Sequence, residues 1–257
     1  MGTYSDNELR KLSVNFLICC YFGQSENLGK AAIDRAYVDM ASHTLKGIKE
    51  KDRFKLRYDA SAYICDRIKD FNSLFGEWHE KTIMELKKIY EPNMSEGQAQ
   101  KWLNMTIKYL FVFKTLLGVD DGRLKDFKKF LTSNAYTDYK VPIDSYVLDG
   151  SKISGLPEFK KEKWSKFDER LYASADAILQ NENYDFIWEL ENWEDFAKGK
   201  NQIAAAMLST TIIKKSKDID ICLHDIEPLT ARLSDLRFFL YRQKNKPPAM
   251  QVVPSEL

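Results

Sequence analysis

Residues 95–111 read SEGQAQKWLNMTIKYLF, and residues 140–150 read KVPIDSYVLDG. In the first stretch Ser95 stands three residues before Gln98, a capping-box pattern that starts a helix at Glu96 or Gly97. Just before it, IMELKKIYEPNM at 83–94 reads as a helix that stops at Glu91-Pro92, because proline disfavours α geometry in the residue ahead of it. Two helices and a tight glycine-containing turn make a hairpin near 90–101, whose exposed amides can receive a phosphate. Along the second helix Ala99, Leu103, Ile107, Leu110 and Leu117 form an apolar stripe, flanked by Trp102 and Tyr109. Lys101, Asn104 and Lys108 fall on the opposite stripe. Lys101 is therefore expected to point away from the core, near the positive end of the helix dipole, which disfavours an ammonium there. A lysine so placed is a candidate amine nucleophile, and a salt-bridging residue on a solvated helix edge is the plain alternative.

The second stretch brings a carboxylate. Pro142 stiffens the approach to Asp144, which precedes SYVL, a plausible first helical turn. Asp144 can cap that turn's amides. A cap is a structural role, yet a carboxylate on a rigid helix start can also stabilise a developing cation.

Periodicity around these stretches is helical throughout. DNELRKLSVNFLICCYF at 6–22, capped near Ser5 or Asp6, and GKAAIDRAYVDMASHTLKGI at 29–48 both read as helices. So do 57–75, with Ala60, Tyr63, Ile64, Ile68 and Phe71 on one stripe, and a short segment near 123–131. The chain then loosens from Asp144 to about Lys166, with further helices expected at 165–180, 200–216 and 222–244, the last broken at Pro228. The tail 246–257 is Pro-rich and expected to be extended. No strand alternation stands out, so the fold class is all-α.

The composition, 44% apolar and 30% charged, is that of an ordinary globular protein. A net charge of +1 excludes a globally basic polyanion binder, so any such surface must be local. Two stretches qualify: Arg123, Lys125, Lys128 and Lys129, and Lys160, Lys161, Lys163 and Lys166. Cys19, Cys20, Cys65 and Cys222 lack metal-ligand spacing and read as reduced core residues, with no metal or cofactor expected. A charged start without an apolar leader, and no run of membrane-span length, point to a cytoplasmic protein, expected to be a monomer.

Gly97 four positions before Lys101, Asn104 three after it, and the downstream VPIDSYV together resemble the helix-hairpin-helix DNA glycosylases. Among these the pattern is most similar to archaeal 8-oxoguanine glycosylases and to bacterial phage-defence glycosylases that act on modified cytosine. The resemblance covers roughly residues 79–150. It implies a single glycosylase unit over 1–257 with two helical lobes, 45–140 carrying the hairpin and 1–44 joined with 145–245. By resemblance Lys101 is the nucleophile and Asp144 the second essential group. Double-stranded DNA would be gripped through Ser95, Gly97, Gln98, Gln100 and Lys108. The target base would be flipped into a pocket, for which Tyr21, Phe22, Gln24, Trp102 and Trp164 are candidates. Excision of an 8-oxoguanine-like lesion or of a hypermodified phage cytosine is implied, in repair or in antiviral defence, with lysine-dependent lyase chemistry in bifunctional members. A non-catalytic DNA-binding module and an all-α protein-interaction scaffold are the rival readings.

Overall fold

The structure, a computed structural model, describes residues 4–23, 26–41, 44–45, 48–196 and 198. The chain divides into two units, Met1–Ala197 and Lys198–Leu257, and everything below concerns the first. The helices expected at 200–216 and 222–244, the tail 246–257 and Cys222 lie outside the described residues.

All regular structure among the described residues is helical. The order is α1 (Asp6–Phe22), α2 (Leu28–Ala41), α3 (Glu50–Lys69), α4 (Phe75–Ile89), α5 (Glu96–Leu117), α6 (Lys128–Ser133), α7 (Ser145–Gly150) and α8 (Glu169–Asn181). A further helical stretch covers 186–196. Short 3-10 turns join α5 to α6 and fill the segment between α7 and α8.

Local chemistry accounts for many of the boundaries. Capping boxes close α1 at Ser5–Glu8 and α5 at Ser95–Gln98, each cap worth about 1 kcal/mol. Asp168 caps α8, and Gly23 ends α1 in the left-handed conformation at φ 77°. The second helix is shorter than its periodicity suggests, stopping at Ala41 well before Gly47.

Helix α5 is the central helix of this unit. Every residue from Gly97 to Leu110 is buried, so the expectation that one stripe of this helix faces solvent is corrected. One side of α5 lies in a large core built from α2, α3, α4 and α6. Alanines 31, 32 and 36 give α2 a flat face, and Tyr37 meets Trp102 edge to face at 4.9 Å. The other side of α5 looks toward a second apolar cluster formed by residues 141–179, including Ile143, Val147, Phe159 and Phe167. The two apolar clusters therefore do not follow the expected grouping of residues: Leu28–Met40 shares its core with residues 60–139. That core also takes Phe186 from the last helical stretch.

On α1, Ile18 turns inward while Cys19 and Cys20 are exposed, correcting their assignment to the core. No helix among the described residues is long and apolar enough to cross a membrane.

Candidate active site

Lys101 and Asp144 meet. Lys101 Nζ donates to Asp144 Oδ2 at 2.8 Å, and only 9% and 5% of the two side chains is exposed. Asp144 is the N-cap of α7, and its Oδ1 accepts the amide protons of Tyr146 at 2.7 Å and Val147 at 3.1 Å. One carboxylate oxygen is thus committed to the backbone and the other is left for the lysine. The indole of Trp164 covers the ammonium from another direction, with Nζ 4.6 Å from the ring centroid, a cation–π distance.

The two elements that carry this pair are held in register by buried amides. Gln100 Nε2 donates to the carbonyls of Gly97 (2.9 Å) and Ile143 (2.8 Å), while its Oε1 accepts from the Ile143 amide at 3.2 Å. Asn104 Nδ2 donates to Gln100 Oε1 at 3.1 Å and to the Val141 carbonyl at 3.2 Å. With both protons of Asn104 so used, its Oδ1 accepts from His79 Nε2 at 2.6 Å, which assigns the His79 proton to Nε2. Burial pushes His79 down to about 4, so it donates as a neutral ring. The chain from His79 to Ile143 fixes the segment that ends in Asp144 against the turn of α5 that carries Lys101.

The pair opens on a cavity of about 700 Å³. Asp144, Tyr146 and Trp193 border one part of it, and Lys160, Lys163 and Trp164 another. Tyr21, Arg35, Asp39 and Tyr109 form another part of its wall. There the Tyr109 hydroxyl donates to Asp39, Arg35 Nη2 pairs with Asp39 Oδ1 at 2.9 Å, and the Arg35 guanidinium lies over the Tyr21 ring. Burial and then the Asp39 charge push the Tyr109 phenol up, so it stays protonated and donates. No group of three or more His, Cys, Asp or Glu among the described residues forms a metal site.

The residues expected to grip DNA are otherwise engaged. Gly97 N–H donates to the Phe167 carbonyl at 3.1 Å, and Gln98 N–H to Ser95 Oγ within the capping box. Ser95 Oγ itself donates to the Ser165 carbonyl at 2.9 Å. Gln100 is fully buried in the amide network. Lys108 lies against both oxygens of Glu189, at 2.6 and 2.5 Å, and over the Trp193 ring. All five positions make contacts within the fold, and the turn at residues 164–167 lies against the helix start that a phosphate would need.

Of the pocket candidates, Trp164 and Tyr21 line the cavity. Trp102 does not; it is wholly buried, with Nε1 donating to the Ile33 carbonyl at 3.1 Å. Phe22 is half-buried against Tyr109 and Phe113, and Gln24 lies outside the described residues.

Arg35, Asp39, Glu189 and Trp193 went unassigned in the sequence. Glu189 is fully buried on the 186–196 helix, and burial pushes its carboxyl up against the opposing pull of Lys108. Phe186, Leu190 and Trp193 at helical spacing were the available signal for that helix.

No family model, curated protein or solved structure matches this chain.

Proposed function

We propose that the chain is a DNA N-glycosylase in which Lys101 and Asp144 excise a base flipped into the cavity. The observation that carries the reading is the buried 2.8 Å contact between Lys101 Nζ and Asp144 Oδ2 on the wall of a cavity of about 700 Å³. A cavity of that size lies within the ordinary range for small-molecule sites, roughly 300–1,000 Å³. The resemblance of the hairpin and of the VPIDSYV segment supports the same assignment.

The chemistry follows from the pair. An ammonium has no lone pair, so Lys101 must first pass a proton to Asp144 Oδ2, which already accepts it in a hydrogen bond. The freed amine attacks C1′ of the flipped nucleotide as the C1′–N bond breaks and its electrons leave with the base. Asp144 then returns the proton to the departing base, and the two backbone amides on Oδ1 hold the carboxylate in position throughout. Opening of the sugar ring converts the C1′–Nζ bond to a Schiff base, from which β-elimination nicks the strand. The substrate is duplex DNA carrying an 8-oxoguanine-like lesion or a hypermodified cytosine. The setting is base-excision repair or antiviral defence.

Borohydride trapping is the test. Duplexes with oxidised purines, and genomes of phages with modified cytosine, are incubated with the full chain and scored for abasic sites and covalent adducts. Base release with a trapped adduct is expected from the wild type, loss of the adduct from Lys101→Gln, and loss of base release from Asp144→Asn. Absence of base release across the whole panel overturns the reading.

A further inference from the structure

With the hairpin amides occupied, a DNA-binding surface must come from elsewhere, and one segment stands out. Residues 151–167, SKISGLPEFKKEKWSKF, carry Lys152, Lys160, Lys161, Lys163 and Lys166 against Glu158 and Glu162, in a chain whose total is +1. All five lysines are exposed. Among the described residues none of the five has a carboxylate in ion-pair contact. In the other basic stretch two of the four cations are paired locally, Arg123 with Asp121 and Lys128 with Asp120.

This lysine ridge sits on a built frame. Ile153, Phe159 and Phe167 plug it into the second apolar cluster. Local turns close it, Lys160 N–H donating to the Leu156 carbonyl at 3.0 Å and Lys166 N–H to the Lys163 carbonyl at 2.8 Å. Bonds from Gly97 to Phe167 and from Ser95 to Ser165 then tie it to the start of α5. The backbone from which the lysines project is therefore already ordered, which lowers the entropy lost on binding. The ridge also borders the cavity: Lys160, Lys163 and Trp164 line it beside Lys101.

We infer that the ridge from Lys152 to Lys166, and not the helix-hairpin turn, is the surface that binds the phosphate backbone of duplex DNA beside the cavity. The turn that elsewhere could offer amides to a phosphate is used here to seat this ridge. Phosphate contact is made by side-chain cations at the cavity rim. The inference rests on the DNA reading above but not on its chemistry, since binding of an unmodified duplex requires no base to be excised.

The test is fluorescence anisotropy of the full chain on a labelled, unmodified duplex across a salt series. The fourfold variant Lys160→Gln, Lys161→Gln, Lys163→Gln, Lys166→Gln is expected to bind at least about tenfold more weakly near 0.1 M salt. The slope of log affinity against log salt is expected to flatten by about 0.9 for each lysine that touches a phosphate. Replacing the same four lysines by arginine retains the slope, and Lys125→Gln with Lys129→Gln leaves it at the wild-type value. Lys161→Glu, one exposed change, shifts the slope in the same direction should the fourfold variant fold poorly. A fourfold glutamine variant that melts and binds like the wild type overturns the inference. So does a wild type that ignores duplex DNA, or one that uses these lysines on anionic lipid vesicles in preference to duplex. A wild type that binds duplex through the ridge yet releases no base removes the glycosylase chemistry and leaves the ridge assigned.

Discussion

A β-carbon on Gly97 would stand 1.8 Å from the carbonyl oxygen of Trp164, so α5 and the turn at 164–167 meet backbone to backbone. Gly97→Ala must push that turn away, and with it the indole over Lys101. Overpacking of this kind costs about 1–3 kcal/mol, and adduct formation should fall with stability. Gly122→Ala, whose β-carbon would meet nothing, is the matched control. Urea melts of both variants check this; a Gly97→Ala protein as stable as the wild type would mean the turn is not seated on α5.

The Lys101–Asp144 pair should behave as a coupled unit. Removing one member of a buried ion pair costs on the order of 3–5 kcal/mol, because the other charge is left uncompensated. The two amides on Asp144 Oδ1 soften the loss for Lys101→Gln, and Asn at 144 can still cap α7. The double variant Lys101→Gln, Asp144→Asn is expected to lose less stability than the two single losses added, by more than about 1 kcal/mol. Additive losses in a double-mutant cycle would show that the two groups do not interact.

Two tryptophans divide between fold and chemistry. Trp102→Ala empties a fully buried site and removes the indole bond to the Ile33 carbonyl, so it should cost about 3–5 kcal/mol. Trp164→Ala exposes Lys101 to water on one face and should reduce adduct formation by far more than it reduces stability. Parallel melting and trapping measurements separate the two; equal stability losses would undo the distinction.

His79 predicts a pH dependence with a definite sign. Its folded value of about 4 lies below the ordinary imidazole value of 6.5, so within that window the unfolded chain binds the extra proton. The stability it contributes is present above pH 6.5 and is lost as pH falls toward 4, by up to about 3 kcal/mol. Glu189, whose carboxyl is pushed up, acts in the opposite sense, so the informative quantity is the difference between wild type and His79→Gln. That difference should shrink on acidification. Melting curves that fall in parallel from pH 7 to 4 would place His79 in contact with water.

Much of the helical skeleton was legible in the chain because its signals are local. Ser5–Glu8 and Ser95–Gln98 act over three residues, Asp144 caps the two amides that follow it, and the stripe Ala60, Ile64, Ile68, Phe71 turns inward as its spacing requires. Lys101 and Asp144 were singled out from their positions near helix starts, but bringing them together across 43 residues took the fold. The helix at 186–196 was missed although Phe186, Leu190 and Trp193 carry its period, and with it the partner that removes Lys108 from the surface.

What only tertiary structure decided is which helix faces are covered and by what. Periodicity assumes one wet face, and α5 has none between Gly97 and Leu110, because α2 closes one side and the residues after 140 close the other. Trp102 and Trp164 look alike as aromatic residues beside a lysine or a basic run, yet one fills the core and the other shields the ammonium. The Gly97 amide reads as open for a phosphate because its acceptor, the Phe167 carbonyl, comes from a turn 70 residues downstream. A helix end advertises its unpaired donors in its own sequence; the group that satisfies them is chosen by packing.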